Sequence, residues 1–258
     1  MVVGLIGAGN MARALARGWG DPVLCSDGGS GRARELAEEL GGEAFDSNVE
    51  VARRADVVVL CHKPYQLKQV AREIADQSQA VASVLGGTSI GMLQEAYPRS
   101  HVFKLMPNTP VEVRQGVTLY SPPHGNPPIR DVPADLEREV VALFERVGIV
   151  VTLEERLMEV AAAIMSVGPA YQALLAEAQV DAGVRHGLRP DLAGPLVAQT
   201  MAGTAALLQS RDYDTLAVRR GVTSPGGSTA RGLAALEAAG IRSAFQSAMD
   251  AVILGGAR

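Results

Sequence analysis

A short segment near the end of the chain carries more polar groups than a turn requires. VTSPGGST, at residues 222–229, places hydroxyls, a proline and two adjacent glycines directly before an alanine- and leucine-rich helical pattern. A helix cap uses one of these hydroxyls, so the others need a different explanation. The role of the remaining hydroxyls and glycines depends on what the first thirty residues bind.

The first thirty residues contain a second segment that can bind a ligand. GLIGAGNMARAL places Gly7, Gly9 and Ala12 in the spacing of the dinucleotide-binding fingerprint, after a strand pattern and at the start of a helical one. Gly7 permits a tight turn, Gly9 lets a pyrophosphate approach the backbone, and Ala12 lets the helix pack on the strand. The helix start also offers amides to the phosphates, so we predict a dinucleotide site that includes Asn10 and Met11.

The preference between the two nicotinamide dinucleotides stays open. Asp27 ends the second predicted strand, at the position where an acid binds the ribose diol and favours NAD over NADP. Ser26, directly before it, belongs to the same predicted cofactor site. However, Ser30, Arg32 and Arg34 follow, and these side chains could hold a 2′-phosphate instead. Asp27 could equally be a turn residue before glycine.

The elements around these segments indicate two domains. Short β-rich runs alternate with helical patterns from VVGLIG to GIVVTL, which predicts right-handed βαβ crossovers and a doubly wound, mostly parallel sheet. From Glu154 onward only helical patterns occur, and small residues lie on several helix faces. We therefore predict an α/β Rossmann domain at residues 1–152 and an all-α domain at residues 153–258 that forms a homodimer. Residues 121–133, rich in proline, are predicted to form a surface loop.

Composition excludes several kinds of partner. The chain has 24 basic and 28 acidic residues, a net charge of -4 and no basic run, which argues against nucleic acid. Polar or structure-breaking residues interrupt every long apolar stretch and no leader pattern is present, so we expect a cytoplasmic protein without a membrane span. We expect no metal site either, because neither cysteines nor histidines show ligand spacing: Cys25, Cys61, His62, His101, His124 and His186.

Three further motifs combine with the glycine fingerprint. They are HKPY at 62–65, MPNTP at 106–110 and the VTSPGGST segment, and GPAY at 168–171 accompanies them. With these motifs the chain resembles the pyrroline-5-carboxylate reductase family over essentially its whole length. The resemblance implies hydride transfer from NADPH or NADH to the C=N carbon of a small cyclic imino acid, 1-pyrroline-5-carboxylate. The product would be L-proline, in the last step of proline biosynthesis.

The resemblance also implies roles for the VTSPGGST residues. In the family, a loop of this kind holds the substrate carboxylate. Ser224 and the backbone amides around Gly226, Gly227 and Ser228 would bind that carboxylate here. Thr229, the predicted catalytic residue, matches a threonine whose hydroxyl lies near the ring nitrogen.

Two other motifs would contribute to the cofactor pocket. By resemblance, Met106, Pro107 and Asn108 line the nicotinamide pocket, where Asn108 would orient either the carboxamide or the loop beneath it. Lys63 and Pro64 match the segment that passes the cofactor, although Lys63 could equally be a solvated charge. Family members form dimers, and in many members the dimers assemble further.

Two alternatives remain after this resemblance is taken into account, and a third is excluded. Met165 and Val167 stand where the family usually has small serines, so a related cyclic imine or a non-catalytic nucleotide-binding protein stays open. The β-hydroxyacid dehydrogenases combine similar domains but need a lysine in the helical domain. No lysine lies beyond Lys104, which excludes that mechanism.

Overall fold

An eight-stranded sheet forms the centre of the first part of the chain in the computed structural model, which describes residues 1–123 and 132–255. Most of the predicted proline-rich loop, with His124, lies outside these described residues. The strands are β1 (Val3–Ile6), β2 (Leu24–Ser26), β3 (Glu43–Phe45), β4 (Val57–Leu60), β5 (Ala80–Ser83), β6 (His101–Pro107), β7 (Gly116–Ser121) and β8 (Gly148–Thr152). Their order is β3-β2-β1-β4-β5-β6-β7-β8. Each neighbouring pair is parallel except β6 and β7, which confirms the predicted Rossmann fold.

Helices cover both faces of this sheet. The helices of the first part are α1 (Asn10–Trp19), α2 (Arg32–Leu40), α3 (Asn48–Arg54), α4 (Leu67–Ile74), α5 (Ile90–Ala96), α6 (Ala134–Glu145) and α7 (Met158–Met165). In β4, Val57 and Val59 join the core cluster that contains residues of α1, α2 and α6. Val58 and Leu60 join the cluster that contains residues of α3, α4 and α5. Burial on both faces explains why this strand is an unbroken apolar run rather than an alternating pattern.

The segment after β8 packs on the sheet. Met158 and Met165 of α7 form a small apolar cluster with Leu119 of β7. By contact density the chain divides into two compact units, Met1–Pro169 and a second unit that begins at Ala170. Because α7 packs on β7, this division falls later than the predicted boundary between residues 152 and 153. That boundary stays a prediction about domain organisation.

One carboxylate fastens the same segment to the sheet. Glu155 Oε1 accepts a hydrogen bond from Lys104 Nζ of β6 at 3.2 Å. The same oxygen accepts the backbone N–H of Ile90, the first residue of α5, at 2.7 Å. Lys104 is buried, so its charge requires this partner. The interaction therefore joins β6, α5 and the turn that precedes α7.

The second compact unit consists of helices among its described residues. They are α8 (Gly168–Arg185), which begins at the unit boundary, α9 (Pro190–Gln209), α10 (Thr215–Gly221), α11 (Ser228–Ala238) and α12 (Ile241–Gly255). Within α8 to α12, only Ala193 is fully buried. Large apolar side chains remain exposed, including Leu174, Leu196 and Leu254. A helical unit with so little internal burial needs a further surface to cover its apolar side chains.

One helical stretch meets the length and composition criteria for a membrane span, which differs from the sequence expectation. It is Glu155–Arg185, which contains both α7 and α8. A single stretch of this kind is weak evidence, because helices that pack against protein have the same apolar composition. Within this stretch α7 ends at Met165 and α8 begins at Gly168, so the expectation that the chain does not span a membrane stays a prediction.

Candidate functional site

A cleft of about 580 Å³ opens beside the carboxyl ends of β1 and β4. The strand order reverses between these two strands, and open α/β sheets bind ligands at such switch points. The cleft brings together the following predicted cofactor residues: Gly7, Gly9, Asn10, Met11, Asp27, Arg32, Lys63 and Pro64. The remaining predicted cofactor residues do not line it: Ala12, Ser26, Met106, Pro107 and Asn108.

The two fingerprint glycines have different surroundings. Gly7 has φ 98°, and a Cβ added there would lie 2.7 Å from the backbone nitrogen of His62 and 2.8 Å from the carbonyl carbon of Cys61. The β1–α1 turn therefore sits directly against the chain that leaves β4. At Gly9 no atom lies within 4 Å of an added Cβ. Gly7 is thus required by internal packing, whereas the open space at Gly9 faces the cleft.

The N-terminus of α1 is available to an anion. Among the described residues, no side chain caps α1, and its first turn contains no acid. Its first N–H groups and the positive end of the helix dipole are therefore not neutralised by the protein. Ala12 is fully buried and packs in the core beneath this turn, so it shapes the site without lining it. The open glycine and the uncapped helix fit the pyrophosphate of a dinucleotide.

The Asp27 carboxylate is occupied by its own loop. Oδ1 accepts the backbone N–H groups of Gly29 at 2.8 Å and Ser30 at 3.1 Å. Oδ2 accepts the Ser30 hydroxyl at 2.8 Å and the N–H of Ala33 at 2.9 Å. Partial burial raises the pKa of Asp27, but the four hydrogen bonds outweigh it and lower the pKa overall. Of the two roles that the sequence left open for Asp27, this geometry supports that of a turn residue. Arg32 of α2 lines the cleft nearby.

Asn48 lines the cleft although no sequence motif pointed to it. It is the first residue of α3 and lies between a buried hydroxyl and a carboxylate. The Ser26 hydroxyl donates to Asn48 Oδ1 at 2.7 Å, and Asn48 Nδ2 donates to Glu73 Oε2 at 2.6 Å. These bonds fix which end of the amide faces which neighbour. Ser26, fully buried, therefore acts on the cleft through Asn48 rather than by direct contact.

His62 is a second cleft residue, and the sequence assigned it no role in the cofactor site. Its Nδ1 lies 2.8 Å from the carbonyl oxygen of Lys63. Among the described residues, Nε2 has no hydrogen-bond partner although it is buried. Burial lowers the pKa of His62, and the contact with the Lys63 carbonyl opposes this shift. Lys63 itself is exposed at the edge of the cleft.

Asn108 holds the MPNTP segment in place. Its Nδ2 donates to the carbonyl oxygen of Met165 at 3.0 Å, and its Oδ1 accepts the N–H of Val117 at 2.8 Å. The side chain is buried, and both ends of the amide are used. Of the two roles that the sequence left open, these bonds support positioning of the loop rather than contact with a carboxamide.

The turn that follows Asn108 packs tightly on α1. A Cβ added at Gly18 of α1 would overlap the carbonyl oxygen of Val111. Arg17 adds a second link, because its guanidinium bonds Glu39 of α2 and Glu112 of the same turn at 2.7 and 2.8 Å. The MPNTP segment is therefore fixed relative to the helix that begins at the glycine fingerprint.

The larger side chain at position 165 fills the core. Met165 packs with Leu119 and Met158 and is 9% exposed. Val167 is half-buried in the short connection between α7 and α8. The longer side chain of Met165 is thus accommodated in the core between α7 and β7.

The VTSPGGST segment of the second unit forms a tight turn and a helix start. Gly227 N–H donates to the Ser224 carbonyl at 3.1 Å, with Pro225 and Gly226 between them. Gly226 has φ 71°, as the third residue of a type II turn requires. A Cβ added at Gly227 would meet Ser224 Oγ, so a larger residue there would force the serine hydroxyl to turn away.

The helix α11 begins at Ser228 without a side-chain cap or an acid in its first turn, as far as the described residues extend. Its first N–H groups are therefore free to bind an anion. Arg231, one turn into the helix, donates from Nη1 to the carbonyl oxygen of Gly226 at 2.7 Å. This bond fixes the turn from the helix side. Thr229 lies in the first turn and is half-buried.

Comparison with known proteins gives matches over both parts of the chain. Residues 155–255 match the family model described as pyrroline-5-carboxylate reductase dimerisation. Residues 2–87 match the model described as NADP oxidoreductase, coenzyme F420-dependent. A pyrroline-5-carboxylate reductase from Synechocystis sp. is 34% identical over 258 residues, which cover 96% of this chain and 94% of that protein.

Two solved structures are similar along nearly the whole chain. A pyrroline-5-carboxylate reductase from Coxiella burnetii has a TM-score of 0.84 and 29% identity, and the match covers 97% of this chain and 95% of that one. A pyrroline carboxylate reductase from Plasmodium falciparum with NADP bound also has a TM-score of 0.84 and 29% identity. That match covers 98% of this chain and 95% of the other chain.

Proposed function

The chain belongs to the pyrroline-5-carboxylate reductase family, and from this premise we propose that it reduces 1-pyrroline-5-carboxylate to L-proline. In this reaction a hydride adds to the ring carbon of the C=N bond and the ring nitrogen carries a proton. The observation that carries the proposal is the full-length match to reductases, joined to a switch-point cleft with an uncapped helix start.

The cleft supports the cofactor half of the reaction. NADPH or NADH, when bound, supplies the hydride. Gly9 leaves space for the pyrophosphate, and the N–H groups at the start of α1 bind its charge. Asn108 and the turn after it hold the MPNTP segment, which is assigned to the nicotinamide pocket, against α1.

The VTSPGGST segment supports the substrate half. Ser224 and the amides of Gly226 and Ser228 bind the substrate carboxylate, and the free N-terminus of α11 stabilises its charge. The N–H of Gly227 closes the turn on the Ser224 carbonyl, so Gly227 shapes this site rather than donating to the carboxylate. Thr229 places its hydroxyl near the ring nitrogen. The tight turn and the Arg231 bond support this role, because a preformed loop loses little conformational entropy when it binds.

Catalysis in this account depends on orientation. A protonated imine accepts a hydride readily, so the residues that bind the carboxylate determine which face of the ring is reduced. The chain needs no lysine donor in its helical half, which is consistent with the absence of lysine beyond Lys104.

The loop after β2 favours NADPH over NADH. A carboxylate that already accepts four hydrogen bonds has little capacity left for a ribose diol. Arg32 and Ser30 line the same part of the cleft and can bind a 2′-phosphate.

The second unit acts in assembly. Residues 155–255 match a dimerisation model, and the exposed apolar helices need a partner surface. We infer a homodimer, which in this proposal assembles further and works in the cytoplasm on a small molecule, without nucleic acid or membrane.

An oxidation assay with a substrate panel tests the function. NADPH oxidation is followed with 1-pyrroline-5-carboxylate, with the six-membered homologue 1-piperideine-6-carboxylate, and with 1-pyrroline, which lacks the carboxylate. The first compound should react with the highest kcat/KM, and 1-pyrroline should react at least about 100-fold less efficiently because two charge-assisted bonds are lost. Preference for the homologue would indicate a related imine reductase. Absence of turnover with all three would refute the proposed function.

A further inference from the structure

Arg231 places a positive charge at the positive end of α11. Long side chains on a helix point back toward its N-terminus, and this guanidinium reaches the turn before the helix, where Nη1 donates to the Gly226 carbonyl at 2.7 Å. A cation near the first turn interacts unfavourably with the helix dipole, whereas an anion there is stabilised. The position of Arg231 therefore needs an explanation other than the stability of the helix.

The opposite end of α11 carries an acid, which is also unfavourable for the dipole. Glu237 lies in the last turn, and two arginines neutralise it. Arg242 donates to Glu237 Oε1 at 2.7 and 2.9 Å, and Arg219 Nη1 lies 4.0 Å from the same oxygen. Arg231 has no such compensation, because no acid forms an ion pair with it among the described residues and its one bond is to a neutral carbonyl.

The guanidinium of Arg231 keeps donors for a further partner. It is exposed and has five N–H groups, of which the described residues use one. The Gly226 carbonyl holds it beside the segment to which the proposed function assigns the substrate carboxylate, namely Ser224 and the amides of Gly226 and Ser228. An anion bound there would supply the counter-charge that the described residues do not provide.

We propose that Arg231 is a positioning residue for the substrate carboxylate. Its bond to Gly226 keeps the peptide between Gly226 and Gly227 in the orientation of the turn, and its positive charge attracts the carboxylate to the N-terminus of α11. This inference rests on the proposed function and deepens it, because an anionic substrate is then selected by charge as well as by backbone hydrogen bonds. Arg231 takes no part in hydride transfer, so it should affect substrate affinity and not the chemical step.

Two substitutions separate the charge of Arg231 from the bulk of its side chain. Arg231→Met removes the charge and the donors but keeps a long, unbranched side chain with similar helix propensity. Arg231→Lys keeps the charge and a donor at the end of a flexible chain. Arg185→Met is the matched control, because Arg185 is an exposed arginine in the last turn of α8, the helix end at which a cation is favourable.

Steady-state rates are measured with saturating NADPH and varied 1-pyrroline-5-carboxylate. Arg231→Met should raise KM about tenfold and keep kcat within about twofold of the native value, because an attraction to the carboxylate is lost from ground state and transition state alike. Arg231→Lys and Arg185→Met should keep KM within about threefold of the native value. An unchanged KM in Arg231→Met, or an equal rise in Arg231→Lys, would overturn the inference.

Salt and cofactor binding distinguish the charge from damage to the fold. At about 1 M NaCl the difference in KM between the native protein and Arg231→Met should shrink to about threefold or less, because salt screens exposed charges. NADPH affinity, measured by calorimetric titration, should be the same in both proteins. A difference in KM that persists at high salt, or weaker NADPH binding by Arg231→Met, would overturn the inference. If the native protein does not reduce 1-pyrroline-5-carboxylate at all, the proposed function itself fails.

Discussion

The two fingerprint glycines should respond differently to the same substitution. Gly7→Ala introduces a methyl group 2.7 Å from the His62 nitrogen and 2.8 Å from the Cys61 carbonyl carbon, at a φ of 98° that alanine rarely adopts. Gly9→Ala introduces a methyl group with no atom within 4 Å. The first change therefore acts on the folded protein, and the second acts on the space that the ligand must occupy.

The expected magnitudes differ accordingly. Backbone strain at positive φ costs about 1–3 kcal/mol, and overlap with backbone atoms adds to it, so Gly7→Ala should lower the free energy of unfolding by at least about 2 kcal/mol. Gly9→Ala changes only a cap position and should cost no more than about 1 kcal/mol. If the methyl group prevents two charge-assisted bonds to the pyrophosphate, about 3 kcal/mol of binding is lost, which weakens affinity about 100-fold.

Urea denaturation without ligand measures the first quantity, and NADPH titration measures the second. Gly91→Ala in α5 is the matched control, because its nearest neighbour would be Ser89 Oγ at 3.8 Å and it does not line the cleft. The control should leave NADPH affinity unchanged, and its free energy of unfolding should stay the same or rise by up to about 1 kcal/mol, because alanine favours a helix over glycine. If Gly9→Ala binds NADPH as tightly as the native protein, the pyrophosphate does not approach at this point. If Gly7→Ala is as stable as the native protein, close packing against Cys61 and His62 does not require glycine at this position.

Three further substitutions test other parts of the account. Thr229→Ala should lower kcat about 10- to 100-fold with NADPH affinity unchanged, because one hydrogen bond to the reacting ring is lost; undiminished turnover would remove Thr229 from the mechanism. Asn108→Ala should lower the free energy of unfolding, measured by urea denaturation, by about 2–4 kcal/mol, because the Met165 carbonyl and the Val117 N–H both lose their partner. A decrease of less than about 1 kcal/mol would contradict the positioning role. The hydrogen bonds to Asp27 lower its folded-state pKa from 3.8. The native protein should therefore be more stable than Asp27→Asn above about pH 4, and this difference in stability should disappear as the pH falls further. A difference that does not depend on pH would contradict the hydrogen-bond assignment.

The strong sequence patterns predicted the central sheet. A run such as Val57–Leu60 is apolar at every position, and this pattern is typical of a parallel strand buried on both faces. In contrast, β3 has only three residues, none of them fully buried, and it has no clear strand pattern in the sequence. The short helix α3, which follows it, has no clear helical pattern either. Asn48 begins that helix, which explains why this cleft residue was not predicted.

Side-chain roles depended on contacts between residues distant in sequence. Asp27 has the same position in the pattern whether it binds a ribose or orders its loop, and only its four hydrogen bonds support the second role. The unpaired Nε2 of His62 results from the orientation of one ring beside one carbonyl, which composition and spacing do not encode. Similarly, Met165 was recognised as a departure, but its burial against β7 requires knowledge of where α7 packs.

Transfer of an isotope label tests the central claim most directly. NADPH that carries deuterium at nicotinamide C4, on the face that is transferred, is incubated with 1-pyrroline-5-carboxylate and the protein, and the product is analysed by mass spectrometry and NMR. We expect L-proline with one deuterium atom at ring carbon C5. Proline without the label, or oxidation of NADPH without formation of proline, would contradict it.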